Sequence, residues 1–110
     1  MKTIQFLLIN SEILKINKEP FTILIDDTGN IIHTIAKADL ELFKMTNGQF
    51  PIKGIKSMLQ VIYNPKTGEF YEDVGIDVRD NNKKYLNVRS DPLLILPDQT
   101  VAIFTPDIGC

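Results

Sequence analysis

The chain has 110 residues, 44% hydrophobic and 24% charged, with 12 basic residues nearly balanced by 14 acidic ones. This is the length of one domain and the composition of a globular protein rather than a disordered one. It offers no clustered Lys and Arg face for neutralising nucleic-acid phosphates, and its longest apolar runs, of four residues as at 6–9 and 93–96, are too short to span a bilayer.

Residue choice points to strands. Ile, Val and Thr occupy 29 positions and Ala three. β-Branched side chains lose rotamer freedom in a helix but pack well on a pleated sheet. In chain order, Thr3 to Ile9 is a strand with apolar residues on both faces: Ile4, Phe6 and Leu8 on one, Leu7 and Ile9 on the other. A strand at the start of a small chain is expected at a sheet edge, with one face against the core. Asn10-Ser11-Glu12 is a turn, Ile13 to Asn17 a short second strand, and Lys18-Glu19-Pro20 an interruption. Phe21, Ile23 and Ile25 alternate with Thr22 and Leu24 in a third strand. Asp26 to Asn30 turns the chain, with Gly29 available for a positive φ, and Ile31 to Ile35 returns as the hairpin partner.

Residues 36–46 read two ways. Ala36 to Met45 lacks β-branched residues, Ala36, Leu40 and Phe43 share a helical face, and Asn47-Gly48 would stop a helix. Leu40 and Leu42 also alternate with charged neighbours as in a strand. Beyond a loop at Pro51 and Gly54, Met58 to Tyr63 is a strand. Asn64-Pro65-Lys66-Thr67-Gly68 is a hairpin turn, in which Pro65 presets φ and Gly68 takes the left-handed position. Glu69 to Asp73 returns and Val74 to Val78 continues, bending at Gly75. Asp80 to Lys83 is an exposed turn, and Tyr85–Arg89, Leu93–Leu96 and Thr100–Phe104 are further strands.

No residue set makes a catalytic or metal-binding constellation. His33 is the only histidine and lacks a partner for metal binding or general-base work. The acidic group Glu69, Glu72, Asp73, Asp77 and Asp80 does not have calcium-loop spacing. No Ser lies in a nucleophile elbow, and no Gly-x-Gly phosphate cradle occurs. The single cysteine, Cys110, has no partner for an internal disulfide. No cofactor is expected and the chain reads as non-enzymatic.

Phe21-Thr-Ile-Leu-Ile-Asp-Asp-Thr-Gly-Asn-Ile-Ile, Ala38-Asp-Leu-Glu-Leu-Phe-Lys-Met-Thr-Asn-Gly and Val61-Ile-Tyr-Asn-Pro-Lys-Thr-Gly-Glu-Phe follow one another in the chain. Together they resemble the small β-sandwich modules of tailed-phage baseplate and tail proteins. The closing Leu93-Leu-Ile-Leu-Pro-Asp-Gln-Thr-Val-Ala-Ile-Phe is similar to their ending, with Pro97-Asp98 where the family usually has Pro-Gly. The resemblance covers residues 13 to 105 and implies a virion structural protein with a strand at 38–45.

The expected fold is therefore one mainly-β domain over 1–110, a small antiparallel β-sandwich or partly open barrel with at most one short helix at 36–46. The expected function is a structural or protein–protein interaction module, as in a phage tail, baseplate or capsid. The alternative is a small soluble regulator or inhibitor that binds a protein or ligand. Self-association or a protein partner is expected, as a homo-oligomer or assembly subunit, without nucleic acid or a membrane span. Candidate interface residues are Phe6, Leu7, Ile9, Tyr63, Phe70 and Tyr71. Lys2 is not followed by a signal-peptide pattern, so a cytoplasmic or virion-associated location is expected.

Overall fold

The computed structural model describes residues 1–9, 21–45 and 59–105. The elements are β1 (Lys2–Leu8), β2 (Phe21–Ile25), α1 (Ile31–Met45), α2 (Leu59–Ile62), β3 (Tyr63–Asn64), β4 (Glu69–Phe70), β5 (Gly75–Arg79) and β6 (Thr100–Thr105). Strands dominate, in one four-stranded sheet and one two-stranded sheet, so the small mainly-β class expected from composition is what the structure shows.

The four-stranded order is β2-β1-β6-β5. β1 and β6 are parallel neighbours at the centre, and each has an antiparallel neighbour outside, β2 and β5. β1 is thus a central strand rather than the edge strand expected from its place in the chain. Its alternation is strict: Lys2, Ile4, Phe6 and Leu8 are buried, while Thr3, Gln5 and Leu7 are half-buried on the other face. Ile4 pairs with Ile23, and Phe6 pairs with Ala102, itself opposite Val78. These side chains form one core with Ile25, Leu8 and Phe104.

The core is closed by α1 and by the β3–β4 hairpin. Ile31, Thr34, Ile35 and Ala38 are buried at the i, i+3, i+4, i+7 spacing of one helical face. The Phe70 ring lies 6.5 Å from that of Phe104, which lies 5.4 Å from that of Phe6. Tyr63 meets Phe70 edge-on, with centroids 5.4 Å apart.

The helix begins at Ile31, so the strand expected at 31–35 is its first turn and a half. Two observations explain the difference. Asn30 caps the helix: its Oδ1 accepts from the N–H of Ile32 at 3.0 Å and of His33 at 3.1 Å. Burial of Ile31 and Ile35 then outweighs the small helical penalty of their branched side chains. The face formed by Ala36, Leu40 and Phe43 is the solvent side, with Leu40 57% and Phe43 52% exposed. Gly29 is not at a positive φ; a Cβ there would stand 3.0 Å from the Asp26 carbonyl oxygen and 2.7 Å from the end of the Ile25 side chain, so a larger residue would be crowded.

Other local expectations divide. Of the strand read from Met58 to Tyr63, Leu59–Ile62 is a short helix, α2, passing into β3, and Met58 lies outside the described residues. Tyr85–Arg89 contributes one bridge, Tyr85 to Arg79, and Leu93–Leu96 forms no strand. The Asn10–Glu12 turn, the strand at 13–17, the Lys18–Pro20 interruption, the Asn47-Gly48 stop, the loop at Pro51 and Gly54, and Cys110 lie outside the described residues.

The Asn64–Gly68 turn matches its reading. Gly68 N–H donates to Asn64 O at 2.9 Å, Lys66 N–H donates to Asn64 Oδ1 at 3.0 Å, and Gly68 has φ 74°. Gly68→Val should destabilise the fold by about 1 kcal/mol or more, because a β-branched residue is strained at positive φ. A urea-unfolding midpoint equal to wild type would contradict this.

Candidate functional site

The sheet has a second face, opposite the core. The register arranges it in rows. Thr22, Gln5, Val101 and Arg79 form one row, and Leu7, Ile103 and Asp77 the next. Leu24 stands beside Thr3 at one end of the face. Ile9 follows β1 at the other end, where its N–H donates to Phe104 O at 3.0 Å. Two contacts confirm that each pair's side chains share this side: Gln5 Nε2 donates to Thr22 Oγ1 at 3.1 Å, and Arg79 Nε meets Asp77 Oδ1 at 2.9 Å.

Five apolar side chains thus sit outside the core on one surface. Leu24 is 49% exposed and Ile9 50%, while Leu7, Val101 and Ile103 are half-buried against one another and their neighbours. β1 and β6 carry apolar residues on both faces because each faces the core with one side and this surface with the other.

The sequence-predicted interface residues separate accordingly. Leu7 and Ile9 lie on the open face. Phe6 and Phe70 are buried in the core. Tyr63 is half-buried against Phe70, and Tyr71 is exposed beyond the hairpin. Leu24, Val101 and Ile103 share this face and were not among those candidates, although Val101 and Ile103 flank the core residue Ala102 in the same two-sided pattern as β1.

One end of this face is fixed by a buried cation. Lys2 is 5% exposed, and its ammonium donates to Asp27 O at 2.8 Å, Gly29 O at 2.9 Å and Leu96 O. Three donors meet three carbonyls, which satisfies the group. Desolvation lowers the Lys2 pKa from its ordinary value, against the opposing pull of Asp27 and Asp98. The following residue completes the clamp: Thr3 N–H donates to Asp98 Oδ1 at 2.7 Å, and Gln99 N–H to Thr3 O at 2.9 Å. The Thr3 hydrogen bond holds the Asp98 carboxyl below its usual range.

A cavity of about 260 Å³ lies beside the β2–α1 turn, lined by Leu24, Ile25, Asp26, Thr28, His33 and Lys37 among others. His33 sits at the third position of α1, and its Nδ1 accepts from Asn30 N–H at 3.1 Å. With the Asn30 side chain bonded to His33 N–H, the two residues form a reciprocal cap with His in the role usually taken by Glu. The histidine read as mid-hairpin is therefore a capping residue. Among the described residues, no group of three or more His, Cys, Asp or Glu is placed to hold a metal ion. Among them, too, no helix is long and apolar enough to cross a membrane.

No family model matches the chain, and neither a curated protein nor a solved structure is detectably similar to it.

Two measurements check the clamp. Lys2→Met should destabilise the protein by about 2 kcal/mol in chemical denaturation, because buried carbonyls lose their donor. Asp98 acts in acid. Its lowered folded pKa means that its contribution is complete above the ordinary value of 3.8 and is lost as pH falls through the folded value. The stability gap between wild type and Asp98→Asn should therefore narrow as pH drops below 3.8, read from urea midpoints across pH.

Proposed function

We propose that this chain is a non-enzymatic structural or interaction module that binds a protein partner through the open face of its four-stranded sheet. The observation carrying the reading is the apolar surface built on the Leu7–Ile103 pair and extended by Val101, Leu24 and Ile9. Water is a poor neighbour for such a surface, and a folded partner is the usual cover. Arg79 and Asp77 satisfy each other at the β5 side, which supplies a polar rim to an apolar centre.

Size constrains the partner. Four strands by five residues give a footprint of about 19 Å by 17 Å, from strand spacing and rise. That is well under the ~800 Å² per partner of a standard interface. The face therefore supplies the centre of a contact that extends past the sheet, or one weak contact among several. Either suits a subunit held by multiple neighbours, as in the tail, baseplate or capsid setting that the turn resemblance implies.

The cavity beside α1 favours a second reading, a small regulator that binds a ligand or protein. At about 260 Å³ it falls below the roughly 300–1,000 Å³ of small-molecule sites. Its histidine is also engaged in capping. The sheet face is the better-supported site.

A photo-crosslinking residue placed at Ile9 tests the reading in cells that express the chain. A discrete adduct with one protein is expected, absent when the probe replaces exposed Glu72. It should be strongly reduced by Leu7→Lys, a variant first shown to keep its circular dichroism and thermal midpoint. Equal labelling from both probe positions, or an adduct indifferent to Leu7→Lys, would remove the open face as the binding surface.

A further inference from the structure

The β5 side of the open face continues past the last strand. After Arg79 the chain turns and comes back along β5, where Tyr85 bridges to Arg79 and Leu86 N–H donates to Val78 O at 2.8 Å. Directly opposed residues of an antiparallel pair carry their side chains on the same side of the sheet. Tyr85 therefore extends the row of Gln5, Val101 and Arg79 on the open face, and it is 54% exposed.

The charge of this corner differs from that of the rest of the chain. Residues 79–89 hold four basic residues and one acidic, in a chain whose acidic residues outnumber its basic ones, 14 to 12. The acidic one, Asp80, is engaged in its own turn: its Oδ1 accepts from the N–H of Asn82 and of Lys84, both at 2.9 Å. Arg89 donates to the carbonyls of Tyr71 and Val74. Arg79 meets Asp77 through Nε alone, which leaves its four Nη donors. Lys83 and Lys84 are exposed, and among the described residues neither ammonium has a hydrogen-bond or ion-pair partner. Lys83 also sits in the left-handed region, φ 64°, where backbone sterics favour Gly or Asn.

We propose that the protein partner of the open face is acidic at this corner, presenting a carboxylate to Arg79 beside Tyr85 and further carboxylates to Lys83 and Lys84. This rests on the open-face reading and names the chemistry of its partner. The Nη side of a guanidinium offers two parallel N–H donors, the geometry a carboxylate accepts with both oxygens. The Asp77 contact already restrains the Arg79 side chain, so less freedom is lost on binding. Tyr85 adds a ring and a hydroxyl where the apolar centre meets the charged rim, and Tyr and Arg are the side chains enriched among those that dominate interface energies. A phosphate backbone fits this corner less well. Val101 stands next to Arg79 and Ile103 next to Asp77, so the cations border an apolar surface rather than a basic groove.

The test follows the backbone amides of the purified full chain by NMR as separate probes are added. These are a short acetylated peptide of Glu and Leu, its counterpart with Lys for every Glu, and single-stranded oligothymidylate. The Glu–Leu peptide should shift the amides of Arg79, Lys83 to Tyr85 and Val101, and the Lys–Leu peptide should bind about tenfold more weakly or not at all. Arg79→Gln and Lys83→Glu/Lys84→Glu, both on exposed positions, should each weaken Glu–Leu binding about tenfold while the rest of the amide spectrum is retained. No shift at these residues, an equal response to the two peptides, or tighter binding of oligothymidylate at the same amides would overturn the proposal. In cells, Lys83→Glu/Lys84→Glu should also weaken the Ile9 adduct. An adduct lost with Leu7→Lys but indifferent to this charge reversal would remove the acidic partner and leave the open face standing, whereas indifference to Leu7→Lys removes the face itself.

Discussion

The Lys2 ammonium, enclosed by the carbonyls of Asp27, Gly29 and Leu96, ties together the parts of the fold that lie farthest apart in sequence. It links the start of β1 to the turn that launches α1 and to the segment that leads into β6. Thr3 extends the link through Asp98 and Gln99. The consequence is topological. β6 must arrive beside β1 in the parallel sense, and parallel neighbours cannot be joined by a tight turn. Here the approach of residues 96–99 to Lys2 and Thr3 starts the pairing that runs from Ile4–Thr100 to Leu8–Phe104. A buried charge is an expensive device, and it is tolerable because each of its donors is matched.

The α1 boundary is set the same way, by polar matching before apolar burial. Asn30 and His33 exchange hydrogen bonds across the first turn, and Thr34 Oγ1 donates to Asn30 O at 3.0 Å. The Asn30, Ile32 and His33 amides at the helix start thereby find acceptors. The branched residues Ile31, Thr34 and Ile35 would suit a strand, yet with Ala38 they fall on the side the core needs. Propensity differences here are fractions of a kcal/mol per residue. Burial of one Ile is worth about 1.5–3 kcal/mol. The larger quantity decides.

Those magnitudes explain what the residues disclosed. The alternation of β1 and β2 and the Asn64–Gly68 turn were legible because local chemistry specifies each of them. The helix at 31–35 was obscured by its Ile-rich start, although the 31, 34, 35, 38 spacing and the Asn30 cap were both readable. Leu93–Leu96 looked like a strand from composition, but Leu96 N–H donates to Gly29 O instead of to a sheet ladder. The central place of β1 was not legible, since sheet order comes from contacts between distant residues. Lys2 was equally opaque: nothing local marks a lysine whose three acceptors lie 25, 27 and 94 positions away.

The same limit bears on the open face. Apolar residues on both sides of β1 are compatible with burial between two layers or with one layer and one partner. Once β1 and β6 are central, Leu7, Val101 and Ile103 are removed from the edge, where isolated apolar side chains are common, and gathered mid-sheet beside Leu24 and Ile9. A polar choice at those positions would serve a solvated antiparallel face equally well, as Gln5 and Thr22 do in the same row. The core is already complete on the other side, with Ile4, Phe6, Ala102 and Phe104 fully buried. The presence of apolar residues on the open face fits the proposal of an interaction that the folded chain makes through the surface of the sheet.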